Sequence, residues 1–143
     1  MSLRSLFAAV ALLSSASAFG GSIAGTWQGP CENRTSHSAK FTYVISQTGD
    51  VGRINKTKIY YKDLECAVYN HTGRAPVTFT LGEANESGIM PLNIKAGSTM
   101  YYDIVHLSED GKVLTFGEAF TRAEGERPAE LSVANRVFVL VQE

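Results

Sequence analysis

Residues 41–61 read FTYVISQTGDVGRINKTKIYY, and this stretch decides the fold class. In its first part, large apolar residues alternate with smaller or more polar ones, and the large ones are Phe41, Tyr43 and Ile45. That period of two is typical of a β-strand with one buried face. The residues Thr-Gly-Asp at 48–50 then supply a turn. The stretch therefore predicts two antiparallel strands joined by a short turn.

The second strand of this pair carries two lysines. From residue 51 to 61, Lys56 and Lys58 occupy one face, and the opposite face carries Thr57, Ile59 and Tyr61. Charged side chains are rarely buried unless they are paired, so we expect the two lysines on the outside of the sheet. The pattern thus predicts a half-exposed antiparallel strand.

Further strands account for most of the remaining chain, whereas the periodicity of an amphipathic helix is nearly absent. Pro76 fits the beginning of one strand, and Asp110-Gly111 is a tight-turn dipeptide between two others. These further strands are residues 23–28, 66–69, 77–81, 88–95, 99–108, 112–116 and 136–142. Eight or nine strands joined mostly by short turns predict an all-β, up-and-down antiparallel β-barrel, because closure removes exposed sheet edges. A β-sandwich is the alternative.

The first eighteen residues, MSLRSLFAAVALLSSASA, have the pattern of a secretory signal peptide. Arg4 precedes an apolar run that is too short to span a bilayer, and small residues end the segment at Ala18. We therefore predict a signal peptide over residues 1–18 and a single β-barrel domain over residues 19–143. The product is expected to be secreted, or periplasmic in a bacterial host, with no membrane span.

The predicted secretion has consequences for the two cysteines and for the asparagines. Cys31 and Cys66 are the only cysteines of the chain, and we expect them to form one disulfide. Four of the six asparagines begin an N-x-S/T sequon. In a eukaryotic host these four would be glycosylated: Asn33, Asn55, Asn70 and Asn85.

The stretch Gly25-Thr26-Trp27, on the first predicted strand, resembles the G-x-W signature of the lipocalin-like (calycin) β-barrels. In that family the tryptophan lies across the closed end of the barrel, and a basic residue at the last strand packs over its ring. The resemblance implies that Arg136 takes the second role, and it makes Gly25, Trp27 and Arg136 structural residues. It also implies a barrel that can bind a small ligand.

Candidate ligand-binding residues come from the polar and aromatic side chains of the predicted strands. Inward-facing aromatic residues either fill a small barrel or line a pocket, and a buried tyrosine hydroxyl needs a partner that a ligand can provide. We predict the binding residues Tyr43, Tyr61, Phe79, Tyr102 and His106. The alternative is that these side chains simply fill the core.

Three function classes follow from these observations. The first is a secreted protein that binds a small apolar or lipid-like ligand. The second is an extracellular interaction or scaffold glycoprotein that acts through its loops, chiefly residues 121–130. The third is an enzyme using His106 with Tyr102 or Asp103. The sequence shows no catalytic motif, metal-ligand spacing or cofactor motif, and the net charge of -1 argues against a nucleic acid partner.

Overall fold

The computed structural model describes residues 21–142, and nearly all of the regular structure in that range is β-strand. A single 3₁₀ turn, Glu124–Glu126, is the exception. The strands are β1 (Gly25–Gln28), β2 (Glu32–Asn33), β3 (Ser38–Thr48), β4 (Val51–Tyr61), β5 (Tyr69–Leu81), β6 (Ile89–Ala96), β7 (Thr99–Leu107), β8 (Val113–Phe116) and β9 (Val137–Gln142). The predicted signal peptide lies outside the described residues.

Eight of these strands form a closed antiparallel barrel. Neighbours along the wall follow the order β1-β9-β8-β7-β6-β5-β4-β3, and β1 pairs with β3 to close the ring. The two-residue strand β2 pairs with the beginning of β3 as an additional strand. The prediction of an up-and-down barrel is confirmed, and the alternative β-sandwich is wrong.

Strand β5 is longer than the sequence predicts. It runs without interruption from Tyr69 to Leu81, so Pro76 lies inside the strand rather than at its beginning. Its partner on one side, β6, pairs only with Thr78–Leu81. Pro76 therefore sits where that edge of β5 is open, and an open edge tolerates a residue that lacks an N–H donor.

The lysines of β4 point to the inside of the barrel, and the prediction that they lie outside is wrong. Lys56 is in register with the buried Tyr43 of β3, and Ile54, on the same face of β4, is fully buried. Because side chains alternate strictly along a strand, Lys56 and Lys58 share the inner face with Ile54. Tyr61 consequently belongs to the outer face.

One end of the barrel is filled by apolar side chains, and we call it the closed end. Trp27 is only 1% exposed there, and its indole N–H donates a hydrogen bond to the Ile23 carbonyl at 2.9 Å. That bond satisfies the one polar group of the buried ring. Further buried residues at this end are Ile45, Leu81, Met90 and Leu114.

The disulfide predicted between Cys31 and Cys66 is present, with the two Cα atoms 5.9 Å apart. It ties the segment after β1 to the loop between β4 and β5. Ser38 supports the same loop, because its buried hydroxyl donates to the Asp63 carbonyl at 2.7 Å and accepts from the Cys66 amide at 3.1 Å. The cross-link thus fixes the rim of the barrel opposite the closed end.

The long connection between β8 and β9 folds back along the outside of β7. Thr121 and Tyr102 exchange two backbone hydrogen bonds, of 2.7 and 2.9 Å. Arg127 donates to the carbonyls of Leu92 and Asp103, at 3.2 and 2.9 Å. The predicted polar loop 121–130 is therefore on the surface but anchored to the barrel wall.

Within residues 21–142, no helix has the length and apolar character needed to cross a membrane.

Candidate functional site

The end of the barrel opposite Trp27 is lined by half-exposed aromatic and cationic side chains, and we call it the mouth. Its residues come from the inner faces of β3, β4 and β7 and from the chain after β8. The mouth consists of Phe41, Lys56, Lys58, Tyr60, Tyr101 and Phe120. Phe120 is 50% exposed and meets the Tyr101 ring edge to face, with 5.2 Å between the ring centroids.

Three packed rings form the floor of the mouth. Tyr43 stacks on Phe138 with ring centroids 4.4 Å apart, and Phe116 meets both rings edge to face at 5.7 and 5.4 Å. All three rings are buried. The middle of the barrel is thus filled by side chains, and the mouth is the half-exposed surface above these rings rather than a channel through the barrel; we call this surface the bowl.

One side of the bowl is held by a buried ion pair between Asp103 and Arg136. The Asp103 carboxylate is fully buried, and its Oδ2 accepts a hydrogen bond of 2.6 Å from Arg136. Its Oδ1 accepts from the backbone amides of Ile104 and Gly117, at 2.8 and 3.1 Å. Arg136 also donates to the Gly117 carbonyl at 2.6 Å. Both carboxylate oxygens are therefore satisfied within the protein.

Arg136 does not pack on Trp27, and that prediction is wrong. The Arg136 guanidinium lies over the rings of Phe116 and Phe120, with its carbon 5.5 and 5.2 Å from their centroids. Trp27 pairs with Leu140, four residues further along the chain than Arg136, and no contact of the guanidinium with the indole is found among the described residues. The attraction of a cation to an aromatic face is present, but with other rings.

The two lysines on the inner face of β4 contact rings rather than carboxylates. The Lys56 ammonium lies 5.4 Å from the centroid of the Tyr43 ring. The Lys58 ammonium lies 5.2 Å from the Phe41 ring and 4.9 Å from the Tyr60 ring. In the part of the chain that the structure describes, no carboxylate oxygen lies within 4.0 Å of either ammonium.

Burial and a neighbouring cation both act on Lys56. Partial removal from water lowers the pKa of the Lys56 ammonium, and the positive charge of Arg136 lowers it further. Asp103 acts in the opposite direction with a smaller effect. The charged form of Lys56 is therefore less favourable in the barrel than in water.

Tyr43 shows the corresponding effect for an acidic group. Burial raises the pKa of the Tyr43 hydroxyl to about 12, against the lowering influence of Arg136. Among residues 21–142, no hydrogen-bond partner of this hydroxyl is found. The floor of the mouth thus presents the neutral Tyr43 hydroxyl beside Lys56, whose charged form is disfavoured.

Only one of the predicted ligand-binding residues belongs to this site, because strand alternation separates the others. Tyr43 is on the floor of the mouth, whereas Phe79 lies in the core against Gly52. Tyr61, Tyr102 and His106 lie on the outer face. Tyr102 packs there against the Arg127 guanidinium at 5.3 Å.

The residues suggested for an enzyme also do not converge. Asp103 points inward, where it is bound to Arg136, while Tyr102 and His106 occupy outward positions of the same strand. Within residues 21–142, no group of His, Cys, Asp or Glu side chains is arranged to hold a metal ion.

Sequence reasoning missed Lys56, Lys58, Tyr60, Tyr101 and Phe120. For the β4 residues a signal was available, because Ile54 continues the series 54, 56, 58 and 60 and matches Ile45 and Tyr43 across the hairpin. For Phe120 no periodic signal exists, since it follows the last residue of β8 in an irregular segment.

Two of the open depressions that lie outside the bowl have similar volumes. One lies on the outer wall over β3 to β6; Ser46, Thr78 and Lys95 are among its lining residues, and most of its exposed lining is apolar. The other, of about 590 Å³, lies beside Arg136 and carries the carboxylates of Glu32, Glu118 and Glu130. Neither combines aromatic walls with unpaired charge as the mouth does.

Comparisons with protein-family models, with curated proteins and with solved structures gave no match to this chain.

Proposed function

We propose that this chain is a secreted binding protein whose barrel takes a small, apolar or lipid-like ligand at its mouth, without covalent chemistry. The observation that carries the proposal is the ring of half-exposed aromatic side chains around a bowl, opposite a barrel end that is packed shut. Apolar surface left in water gains about 25 cal/mol per Å² when a ligand covers it. The likeness to lipocalin-like barrels at Gly25 and Trp27 supports the same reading.

The bowl favours a ligand of modest size. Its floor of Tyr43, Phe116 and Phe138 stops a ligand from passing deeper into the barrel. A ligand would therefore lie against Phe41, Tyr60, Tyr101 and Phe120, with part of its surface facing water. Aromatic walls with a few polar groups are the common lining of small-molecule sites.

Secretion and glycosylation belong to the proposal as well. The disulfide and the segment 1–18 favour an exported protein, and all four sequon asparagines are exposed. Asn33 and Asn70 lie on β2 and on the overhanging part of β5, near the mouth, whereas Asn85 lies in the loop before β6. Glycans at the first two positions would restrict ligand entry, so mapping which sequons are occupied distinguishes a carrier from a scaffold.

A second candidate is an extracellular interaction protein that uses the segment after β8. The favouring observation is Val133, which is 97% exposed in this segment, together with the half-exposed Phe120. A contiguous exposed apolar patch is typical of contact surfaces, and these two side chains would contribute to such a patch. In this case the mouth rings would contact a partner protein rather than a small ligand.

Native mass spectrometry of the secreted, deglycosylated protein tests the carrier function. A discrete adduct that disappears on denaturation is expected, and its mass gives the ligand. Titration with Nile red, an uncharged apolar dye, provides an independent test with a matched pair of variants. Phe120→Ser should weaken dye binding several-fold, whereas Val139→Ser should not, because Val139 is also 50% exposed but lies on the outer wall. Absence of both an adduct and saturable dye binding would contradict the proposal.

A further inference from the structure

The mouth contains positive charge that the protein does not neutralise. Two cations, Lys56 and Lys58, stand two residues apart on the inner face of β4, a spacing of about 7 Å along the strand. A third, Arg122, lies over the Tyr101 ring at 5.8 Å. Among the described residues none of these three cations forms a salt bridge, and each contacts an aromatic ring instead.

Two acidic side chains near the mouth, Asp103 and Glu32, lie beside arginines rather than lysines. Asp103 is bound by Arg136 and by two backbone amides. A Glu32 carboxylate oxygen lies 3.9 Å from the Arg34 guanidinium. Neither acid forms a salt bridge with Lys56 or Lys58, so the two ammonium groups on the inner face of β4 have no paired carboxylate among the described residues.

This surplus is costly for the protein on its own. A partly buried ammonium loses hydration, and a ring face compensates for only part of that loss. The pKa of Lys56 is lowered for the same reason, namely burial reinforced by the charge of Arg136. A negative group placed at the lysines would restore the lost interaction, because charge-assisted hydrogen bonds to an ammonium are strong and short.

The surrounding rings define the remainder of the ligand. Phe41 and Tyr60 flank Lys58, and Tyr43 lies below Lys56, so apolar surface surrounds the two ammonium groups. A small inorganic anion would leave these rings in water. An amphiphile covers the rings with its tail and meets the lysines with its head group.

We propose that the ligand is an anionic amphiphile whose head group binds Lys56 and Lys58 while its apolar tail covers the rings of the mouth. This inference rests on the proposed carrier function. It adds the charge of the ligand and the residues that recognise that charge.

The test compares two probes with the same tail, dodecanoate and dodecan-1-ol, as competitors of Nile red on the full secreted chain. The wild-type protein should bind dodecanoate about tenfold more tightly than the alcohol. Lys56→Met should remove that preference and leave the affinity for the alcohol within about twofold. Lys56→Arg should keep most of the preference, because the charge is retained.

Lys40→Met is the matched control. Lys40 lies on the neighbouring strand β3, at the same end of the barrel, but on the outer face between Ala39 and Phe41. Removing its charge changes the net charge as much as Lys56→Met does. The preference for dodecanoate should therefore survive in Lys40→Met.

Each outcome decides between the two proposals. Equal binding of dodecanoate and the alcohol by the wild-type protein would overturn the anionic head group and leave the carrier function standing. Equal loss of preference in Lys40→Met and Lys56→Met would overturn the role of the inner face. Binding of neither probe, nor of the dye, would overturn the carrier function itself. If Lys56→Met does not fold, Lys58→Met provides the same comparison.

Discussion

The two ends of this barrel are built from the same alternating strands but have opposite characters. At the closed end, inward side chains such as Ile23, Trp27 and Leu114 are almost fully buried. At the mouth, the inward side chains of the same sheet are half exposed and include two lysines. Alternation along a strand therefore decides which face a residue occupies, but not how deeply it is buried.

Strand length explains the difference. β3 and β4 have eleven residues each and β5 has thirteen, whereas β1 and β8 have four each. The wall formed by β3, β4 and β5 is taller than the wall opposite, so its upper inward side chains have no complete set of neighbours across the barrel. These side chains remain in contact with water, which lysines on an inner face require.

The largest expected effect is a difference in stability between a variant at the closed end and a variant at the mouth. Trp27→Ala should lower the free energy of unfolding by about 4 kcal/mol, because it leaves a large cavity at the closed end. Phe120→Ala, at the mouth, should lower it by less than about 1 kcal/mol. Urea unfolding followed by circular dichroism measures both variants, since Trp27 is the only tryptophan and its fluorescence is lost with it. Similar losses in the two variants would contradict the contrast between the ends.

A slightly smaller loss of stability is expected when the ion pair between Asp103 and Arg136 is broken. Arg136→Met should cost about 3 kcal/mol, because it leaves the Asp103 carboxylate buried without its counter-charge. Asp103→Asn added to this variant should recover much of the loss, since the asparagine oxygen can still accept from Ile104 and Gly117. A double-mutant cycle from chemical unfolding gives the coupling energy. Additive losses would show that the two side chains do not act as a pair.

Lys56→Met should raise the free energy of unfolding, whereas the variants above lower it. Replacing a partly buried ammonium by an apolar side chain of similar length should stabilise the protein by about 1 kcal/mol at neutral pH. The pKa of Lys56 is lowered in the folded state, so the unfolded chain keeps its proton to higher pH and the stability of the wild-type protein rises as pH approaches 10.5. The advantage of the variant should therefore shrink in alkaline solution. Thermal unfolding at several pH values measures this, and a gain that grows with pH would refute it.

The smallest effect on stability is expected for a substitution of Tyr43, on the floor of the mouth. Tyr43→Phe should change stability by less than about 1 kcal/mol, because the hydroxyl has no hydrogen-bond partner among the described residues. Removing the Tyr43 hydroxyl should eliminate a late step of tyrosine ionisation, since the pKa of Tyr43 is raised to about 12. Stability provided by the neutral hydroxyl is present below pH 10 and is lost as pH rises towards 12. An ultraviolet pH titration of both proteins compares the tyrosine ionisation steps, and an unchanged last step would place the late-ionising group elsewhere.

Much of the fold could be predicted from local patterns. The hairpin of β3 and β4 follows from alternation around the turn at 48–50, and the disulfide from two cysteines that follow a predicted export signal. The extent of β5 could not be predicted, because Pro76 ordinarily marks the start of a strand and only the missing neighbour at that edge permits it inside one.

The site was harder to predict than the fold because it depends on register across several strands. Tyr43 was found, since it belongs to a strand with a clear buried face. The inner position of Lys56 and Lys58 is hard to predict because charged side chains ordinarily face solvent, although Ile54, two residues before Lys56, is on the buried face. The sequence predicts Arg136 as a structural residue. Its partner Asp103 lies on β7, and no local sequence pattern links two residues so far apart along the chain.

The pairing of β1 with β9 has a consequence for how the protein reaches its native state. Thr26 lies beside Gln142, so the ring of strands cannot close until β9, which is far from β1 along the chain, has been synthesised. The hairpin of β3 and β4 needs no such wait, because its residues are neighbours in sequence. Contacts between residues far apart in sequence slow folding, and until closure β1 and β8 both lack their common partner. The incomplete sheet has free edges during that interval, which is when self-association competes with folding.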